Sequence, residues 1–265
     1  MPIKTGFKLI QNDIALLKFT HELRIAHSDH LANLSGRSYQ ATVHRVARLA
    51  QERYLTAVTK RPDRLLYIVG PEGRPVLVEA GYADETILAR RPREHELKPI
   101  WLKHFVLVKD IQVKLVTLTR DTPIQLLNWT EGAALHDAVR VNFANGMRVF
   151  HVRPDAYFTL KDTSRPEGAN TLKFFLEADR STESHERIEA KIRGFVNYFA
   201  QNLHTRKYGD KKPFDVLVVT ETDSRAASLA TAMPHFIPKA SQKSYFFTSL
   251  QNLTLDLLLP KSAAP

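Results

Sequence analysis

The spacing of apolar residues changes along the chain, and the change divides it. Over the first ninety residues the spacing is helical. Asn12 precedes Ile14, Leu17 and Phe19 and predicts a helix through about His21. Ser28 is the expected N-cap of SDHLANL, and Ser35-Gly36-Arg37 makes a tight turn. A longer helix is predicted from about Ser38 to Gln51, with Val43, Val46, Ala47 and Ala50 facing inward. Its other surface would carry Arg37, Tyr39, Gln40, His44, Arg45 and Arg48. RYLTAV and LLYIV then read as two strands, joined by the basic turn TKRPDR with Lys60, Arg61 and Arg64. The expected unit over residues 1–92 is a helix-turn-helix with a wing.

A polar, proline-bearing connector, YADETILARRPREHELKP, follows, and from about 98 to 260 the pattern is of α/β or α+β type. LKPIWLKHFVLVKDIQVKLVTLT begins as an amphipathic helix, and its end suits helix or strand. QLLNWTEG, RVFHVRPDAYFTL and TLKFFLEAD read as strands, the last two pairing across the loop at 161–170. STESHERIEAKIRGFVNYFAQ places Ile188, Ile192, Phe195 and Phe199 on one helical stripe. PFDVLVVTET is apolar almost throughout, as expected of a central strand. A helix, DSRAASLATAM, and a strand, SYFFTSL, complete the pattern, and HTRKYGDKK is expected as a basic loop.

Charge sharpens this picture. The net charge of +10 favours a polyanionic partner. Between Leu34 and Arg64 there are seven Lys or Arg residues against Glu52 and Asp63, so the surplus falls on the expected recognition helix and wing. Double-stranded DNA is the partner such a surface would take, helix in groove and wing on phosphate. A protein-binding winged helix with a solvated charged face is the alternative. The absence of cysteine excludes disulfides and thiolate chemistry and fits a cytoplasmic protein. No apolar run approaches the length of a membrane span, and no signal peptide is expected.

The chemistry concentrates at strand ends. Lys173, Phe175, Glu177 and Asp179 share one face of a strand whose other face is Phe174, Leu176 and Ala178. A face holding Phe175 is buried, so Glu177 must reach a rim, a partner or a cation. Asp155 interrupts a neighbouring strand, and Lys191 lies one turn before Phe195 on the next helix. Two carboxylates on adjacent strand ends with a lysine nearby suit a hydrolytic Mg²⁺ or Mn²⁺ site: oxygen ligands match the hard cation, and lysine steadies developing charge. Glu131 either completes that metal shell or begins a helix. Each residue also has a plain role: Asp155 as a turn residue, Asp179 as a cap of the helix after Ser181, Lys191 as a solvated side chain, His104 as a structural hydrogen-bonder. Tyr157 and Tyr198, conceivable nucleophiles for a phosphotyrosyl link, have the apolar neighbours of core residues.

Several segments, in order, resemble the replication-relaxation family, plasmid proteins associated with replication initiation and DNA relaxation. They are GPEGRPVLVEAG, LKHFVLVKDIQVKL with His104 and Asp110, WTEG with Trp129 and Glu131, RPDAYFTL with Asp155, and FFLEADRSTESHERIEAKI with Glu177, Asp179 and Lys191. The resemblance spans roughly residues 10–200 and implies a winged helix followed by a core similar to PD-(D/E)XK nucleases. It matches Asp155 to the PD aspartate and Glu177 to the second acid. The usual motif has lysine two residues after that acid; this chain has Asp179, so Lys191 would supply the amine. What the resemblance implies is origin-directed DNA binding with metal-dependent nicking. The alternative is a non-catalytic initiator or repressor, with the second domain used for partner contacts or as a homodimer interface.

Overall fold

A computed structural model describes residues 7–58, 65–84 and 99–259 of a mixed α/β protein. Contacts divide the chain into two units between Val113 and Lys114. The turn with Lys60, Arg61 and Arg64, and residues 85–98 of the connector expected at 82–99, lie outside the described residues.

In the first unit, α1 (Gln11–Leu23) starts one residue before Asn12. The cap is not the Asn12 side chain. Asp13 bends back to accept the Ile10 N–H at 2.8 Å, satisfying a donor the helix leaves orphaned. A short strand β1 (Ala26–His27) runs into α2 (Ser28–Ser35), of which Ser28 is the first residue and His27 the cap. The His27 N–H donates to His30 Nδ1 at 3.3 Å. Gly36, at φ 67°, ends α2 in the left-handed conformation glycine adopts readily. Ser38 then caps α3 (Tyr39–Gln51), its hydroxyl accepting the Ala41 N–H. The inward stripe of α3 is Thr42, Val46 and Leu49, while Ala47 is exposed. Small apolar side chains marked the helix but not its phase, which the larger Val46 and Leu49 set.

Two strands follow, β2 (Leu55–Ala57) and β3 (Leu66–Val69), paired antiparallel with Leu55 opposite Val69. β3 lies between β1 and β2. Leu16, Leu17, Leu31, Val46, Leu49 and Leu77 form the core beneath them. Leu77 belongs to α4 (Gly73–Glu79). The two glycines of the preceding turn permit a close backbone approach: a Cβ on Gly70 would stand 2.2 Å from the Arg53 carbonyl oxygen, and one on Gly73 2.4 Å from that of Tyr54. In the segment that sequence resemblance singled out, these two positions leave no room for a side chain.

α5 (Pro99–Thr119) is helical to its end. Phe105 and Val106 pack with Ile25 and Leu66, and Val113 joins the first unit's core.

In the second unit a five-stranded sheet runs in the order β10-β9-β8-β7-β4. These strands are β4 (Ile124–Glu131), β7 (Ala156–Asp162), β8 (Thr171–Asp179), β9 (Asp215–Thr220) and β10 (Tyr245–Ser249). β4, β7 and β8 are antiparallel neighbours; β9 and β10 run parallel to β8. Between β4 and β7 the chain makes a separate hairpin, β5 (Asp137–Phe143) with β6 (Gly146–Val152). The segment RVFHVRPDAYFTL is therefore two strands, split at Arg153–Asp155.

The crossover from β8 to β9 is α6 (His185–Ala200) followed by α7 (Leu203–Tyr208). Residues 203–208, expected as loop, are helical because His204 is fully buried against Phe199 and Phe214. Ile188, Ile192 and Phe195 of α6 cover Phe175, Val216 and Val218 of the sheet. α8 (Asp223–Ala232), capped by Thr222, joins β9 towards β10, and α9 (Leu255–Leu258) ends the described chain. Among the described residues no helix is long and apolar enough to cross a membrane.

Gly70→Ala is expected to destabilise the first unit by about 2 kcal/mol or more, because the methyl group meets backbone rather than a movable side chain. Urea unfolding measures it; a loss under 0.5 kcal/mol would contradict the close approach.

Candidate functional site

β8 carries the central carboxylate. Period-two alternation puts Glu177 on the Phe175 face, under the first turns of α6, where it is 3% exposed. Asp155 immediately precedes β7 on the neighbouring strand. Its N–H donates to the Leu176 carbonyl at 2.9 Å, and its Oδ2 accepts the Ala178 N–H at 2.8 Å. Both bonds hold Asp155 against the residues flanking Glu177.

Lys191 closes the group from above. It lies on α6 one residue before Ile192, whose burial fixes the helix phase. Its Nζ is 2.9 Å from Glu177 Oε2 and 2.9 Å from Glu183 Oε2. Neither of these buried oxygens has an aligned hydrogen bond, so the contacts are charge pairs rather than directed bonds. Burial pushes the Glu177 carboxyl up to about 7, the pull of Lys191 opposes it, and the charge of Asp155 adds to it. For Lys191, burial works to lower the pKa, but the combined attraction of Glu177, Asp155 and Glu183 outweighs it and raises the ammonium above its ordinary value.

Asp179, expected as a helix cap, has a different partner. α6 begins only at His185. The Asp179 Oδ2 accepts from Arg225 Nε of α8 at 2.7 Å, and its Oδ1 accepts the Ser181 N–H at 2.9 Å. Arg225 also donates to the Glu183 carbonyl at 2.7 Å. A buried aspartate therefore fastens the 180–184 loop, which carries Glu183 towards Lys191. Sequence reading missed Arg225 and Glu183: Arg225 lies 46 residues beyond its partner, and only the fold brings the two together.

Glu131 ends β4, with Ala156 of β7 opposite it. It accepts the Trp129 Nε1–H at 2.5 Å. Among the described residues no group of three or more His, Asp or Glu stands close enough to hold a metal ion. Asp155 and Glu177 remain as a pair of oxygen donors. Two carboxylates suit Mg²⁺, which commonly takes only one or two from protein and completes its shell with water and phosphate oxygens.

Both tyrosines are packing residues. Tyr198 is fully buried and its hydroxyl donates to Asp137 at 3.1 Å, while Tyr157 packs on Phe175, Tyr208 and Phe214. Asp110 pairs with His30: His30 Nε2 lies 2.6 Å from Asp110 Oδ1. With the His27 N–H donating to Nδ1, the proton of a neutral His30 sits on Nε2.

In the first unit the exposed face of α3 and its approach carry Arg37, Tyr39, Gln40 and His44. Tyr39 is 59% exposed. Arg48 stays half exposed while pairing with Glu52 at 3.1 Å. Arg45 leaves the set. Its Nε donates to Asp13 at 2.6 Å, its Nη2 bonds the other Asp13 oxygen, and the guanidinium lies over Phe7. Asp13 is fully buried, so Arg45 ties α1 to α3 instead of facing outward.

Arg45→Ala should therefore cost roughly 3 kcal/mol in urea unfolding, since it strands a buried carboxylate; a loss within 0.5 kcal/mol would return Arg45 to the exposed face. Glu177→Gln tests the second site. The wild-type carboxyl is raised, so its ionisation costs stability: the penalty is absent below about pH 4.5, grows as pH rises, and is complete above about 7. The glutamine variant should gain on wild type by up to about 3 kcal/mol across that window. A difference in unfolding free energy that stays flat from pH 4 to 8 would refute the raised pKa.

A search of curated proteins finds no match. Among solved structures the chain is similar to ZitR, a zinc-responsive MarR family member from Lactococcus lactis, at 13% identity, over 44% of this chain and 81% of that one, with a TM-score of 0.26. So low a score bears on neither fold nor function. The family description "Replication-relaxation" matches residues 17–212, which include α3 and Asp155, Glu177 and Lys191. With that match covering well over half of its length, the chain belongs to the replication-relaxation family.

Proposed function

We propose that this is a DNA-binding protein of plasmid or mobile-element replication whose second unit nicks DNA in a metal-dependent reaction. The first unit supports the binding role by its topology. Its order is helix, strand, helix, helix, strand, strand, with β3 between β1 and β2, which is that of a winged helix. α3 would enter the major groove with Tyr39, Gln40, His44 and Arg48, and Arg37 would meet the backbone at its start.

The observation that carries the catalytic reading is the meeting of Asp155, Glu177 and Lys191 from three elements. Asp155 and Glu177 would hold Mg²⁺ or Mn²⁺, which when bound polarises a phosphodiester and acidifies water. Lys191 stays protonated beside them and offers positive charge to the pentavalent phosphate. The core similar to PD-(D/E)XK nucleases is part of this proposal. It draws on the acid pair at adjacent strands, with lysine delivered by the helix that follows instead of by the strand.

One observation favours a second reading. Asp179 occupies the usual lysine position and is already bound by Arg225. A second unit without cleavage, used for partner contacts or as a homodimer, would then serve a replication initiator or repressor.

Relaxation of supercoiled plasmid carrying the cognate origin, with Mg²⁺ or Mn²⁺, separates the two. Wild type should nick, while Asp155→Ala, Glu177→Ala and Lys191→Ala should each lose at least a hundredfold in rate with DNA affinity unchanged. Binding without nicking by wild type would establish the non-catalytic reading.

A further inference from the structure

The β5–β6 hairpin takes no part in the five-stranded sheet, and the carboxylate site does not use it. Cross-strand register divides its residues sharply. Val139, Phe150 and Val152 are buried against α6. The opposite face consists of the pairs Ala138 with His151, Arg140 with Val149 and Asn142 with Met147, all six exposed. Met147 is 60% exposed and Val149 42%.

Phe143, at the end of β5 and 44% exposed, falls on the other side, its ring 6.4 Å from that of Phe150, and near the tip Arg148 lies over the same Phe150 ring. Gly146, at φ 122°, closes the two-residue turn there. From Ala138 to Pro154 the chain has no Asp or Glu, but has Arg140, Arg148, Arg153 and His151. Exposed apolar side chains mixed with unopposed cations suit neither a solvated face nor a core.

We infer that this hairpin is a second DNA-reading element, a two-stranded ribbon that lays its Arg140–Asn142–Met147–Val149 face in a groove of duplex DNA. The major groove admits such a ribbon. Arginine pairs with guanine edges, asparagine with adenine, and methionine and valine pack on thymine methyl groups. Arg148, on the opposite face near the tip, and Arg153, just past the end of β6, are both exposed and would meet phosphates beside the groove. The lack of any carboxylate along seventeen residues supplies the charge complementarity, and the rigid seat on α6 presets the ribbon's shape. A second copy of this ribbon would not account for the cations, since its residues 138–154 offer no carboxylate to face them.

The test uses the full chain and a 40-base-pair duplex, with affinity measured by fluorescence anisotropy across salt concentrations. Arg140→Ala combined with Met147→Ala should weaken binding about tenfold or more, and Arg148→Ala should lower the salt slope by about one. All three positions are exposed, so circular dichroism should match wild type. Arg37→Ala with Arg48→Ala, in the first unit, serves as the independent control. If that control weakens binding while the hairpin variants keep wild-type affinity and slope, the ribbon proposal is overturned and the winged helix stands. If wild type itself fails to bind the duplex at low salt, both fail together. Hairpin variants that alter only self-association, seen by sedimentation equilibrium, would overturn the proposal in favour of an interface between copies.

Discussion

Everything at the candidate centre depends on one buried charge. Glu177 stands on the inner face of a central strand, where apolar neighbours should have excluded it. An uncompensated carboxylate there would cost several kcal/mol, so the surrounding elements are arranged to answer it. Lys191 reaches down from α6, and Glu183 balances the lysine's other side. Asp155 adds a second negative charge, and burial shifts the balance towards a proton. The result is a set of four ionisable groups whose charges are mutually conditional. Such groupings in a structural core are costly, and function is the usual reason for keeping them.

The neighbouring pair, Asp179 with Arg225, does different work in the same place. It is also buried, and it is satisfied on both carboxylate oxygens. By fixing the loop between β8 and α6 it sets where Glu183 stands, and so how Lys191 is shared. Asp179 thereby anchors, from the strand, the loop whose Glu183 meets the amine that α6 supplies.

Much of this was legible in the sequence. β8 and β9 were clear because apolar side chains dominate strands packed on two sides, and α6 because Ile188, Ile192 and Phe195 repeat at a helical period. From these two facts Glu177 and Lys191 could be placed near each other without coordinates. Partners distant in sequence could not be read. Arg225 and Asp179, like Arg45 and Asp13, pair across the fold, and nothing local marks an arginine as anchored instead of solvated. α3 shows the same limit: its surface was foreseen, but one of its arginines faces a buried aspartate. The hairpin was missed for another reason. Val139, Val141 and Phe143 alternate as a strand should, but RVFHVRPDAYFTL was read as one strand, with no partner for its first half.

α6 joins features that chemistry would treat separately. Lys191 sits on one of its turns; Gly194, on the next, brings the helix against the β6 backbone at His151, and Tyr198 a turn later holds Asp137 at the start of β5. Sixteen helical residues make a rod of about 24 Å. The ammonium and the ribbon are thus mounted on a single stiff beam. Whatever seats on the ribbon therefore seats on the same helix that carries the lysine.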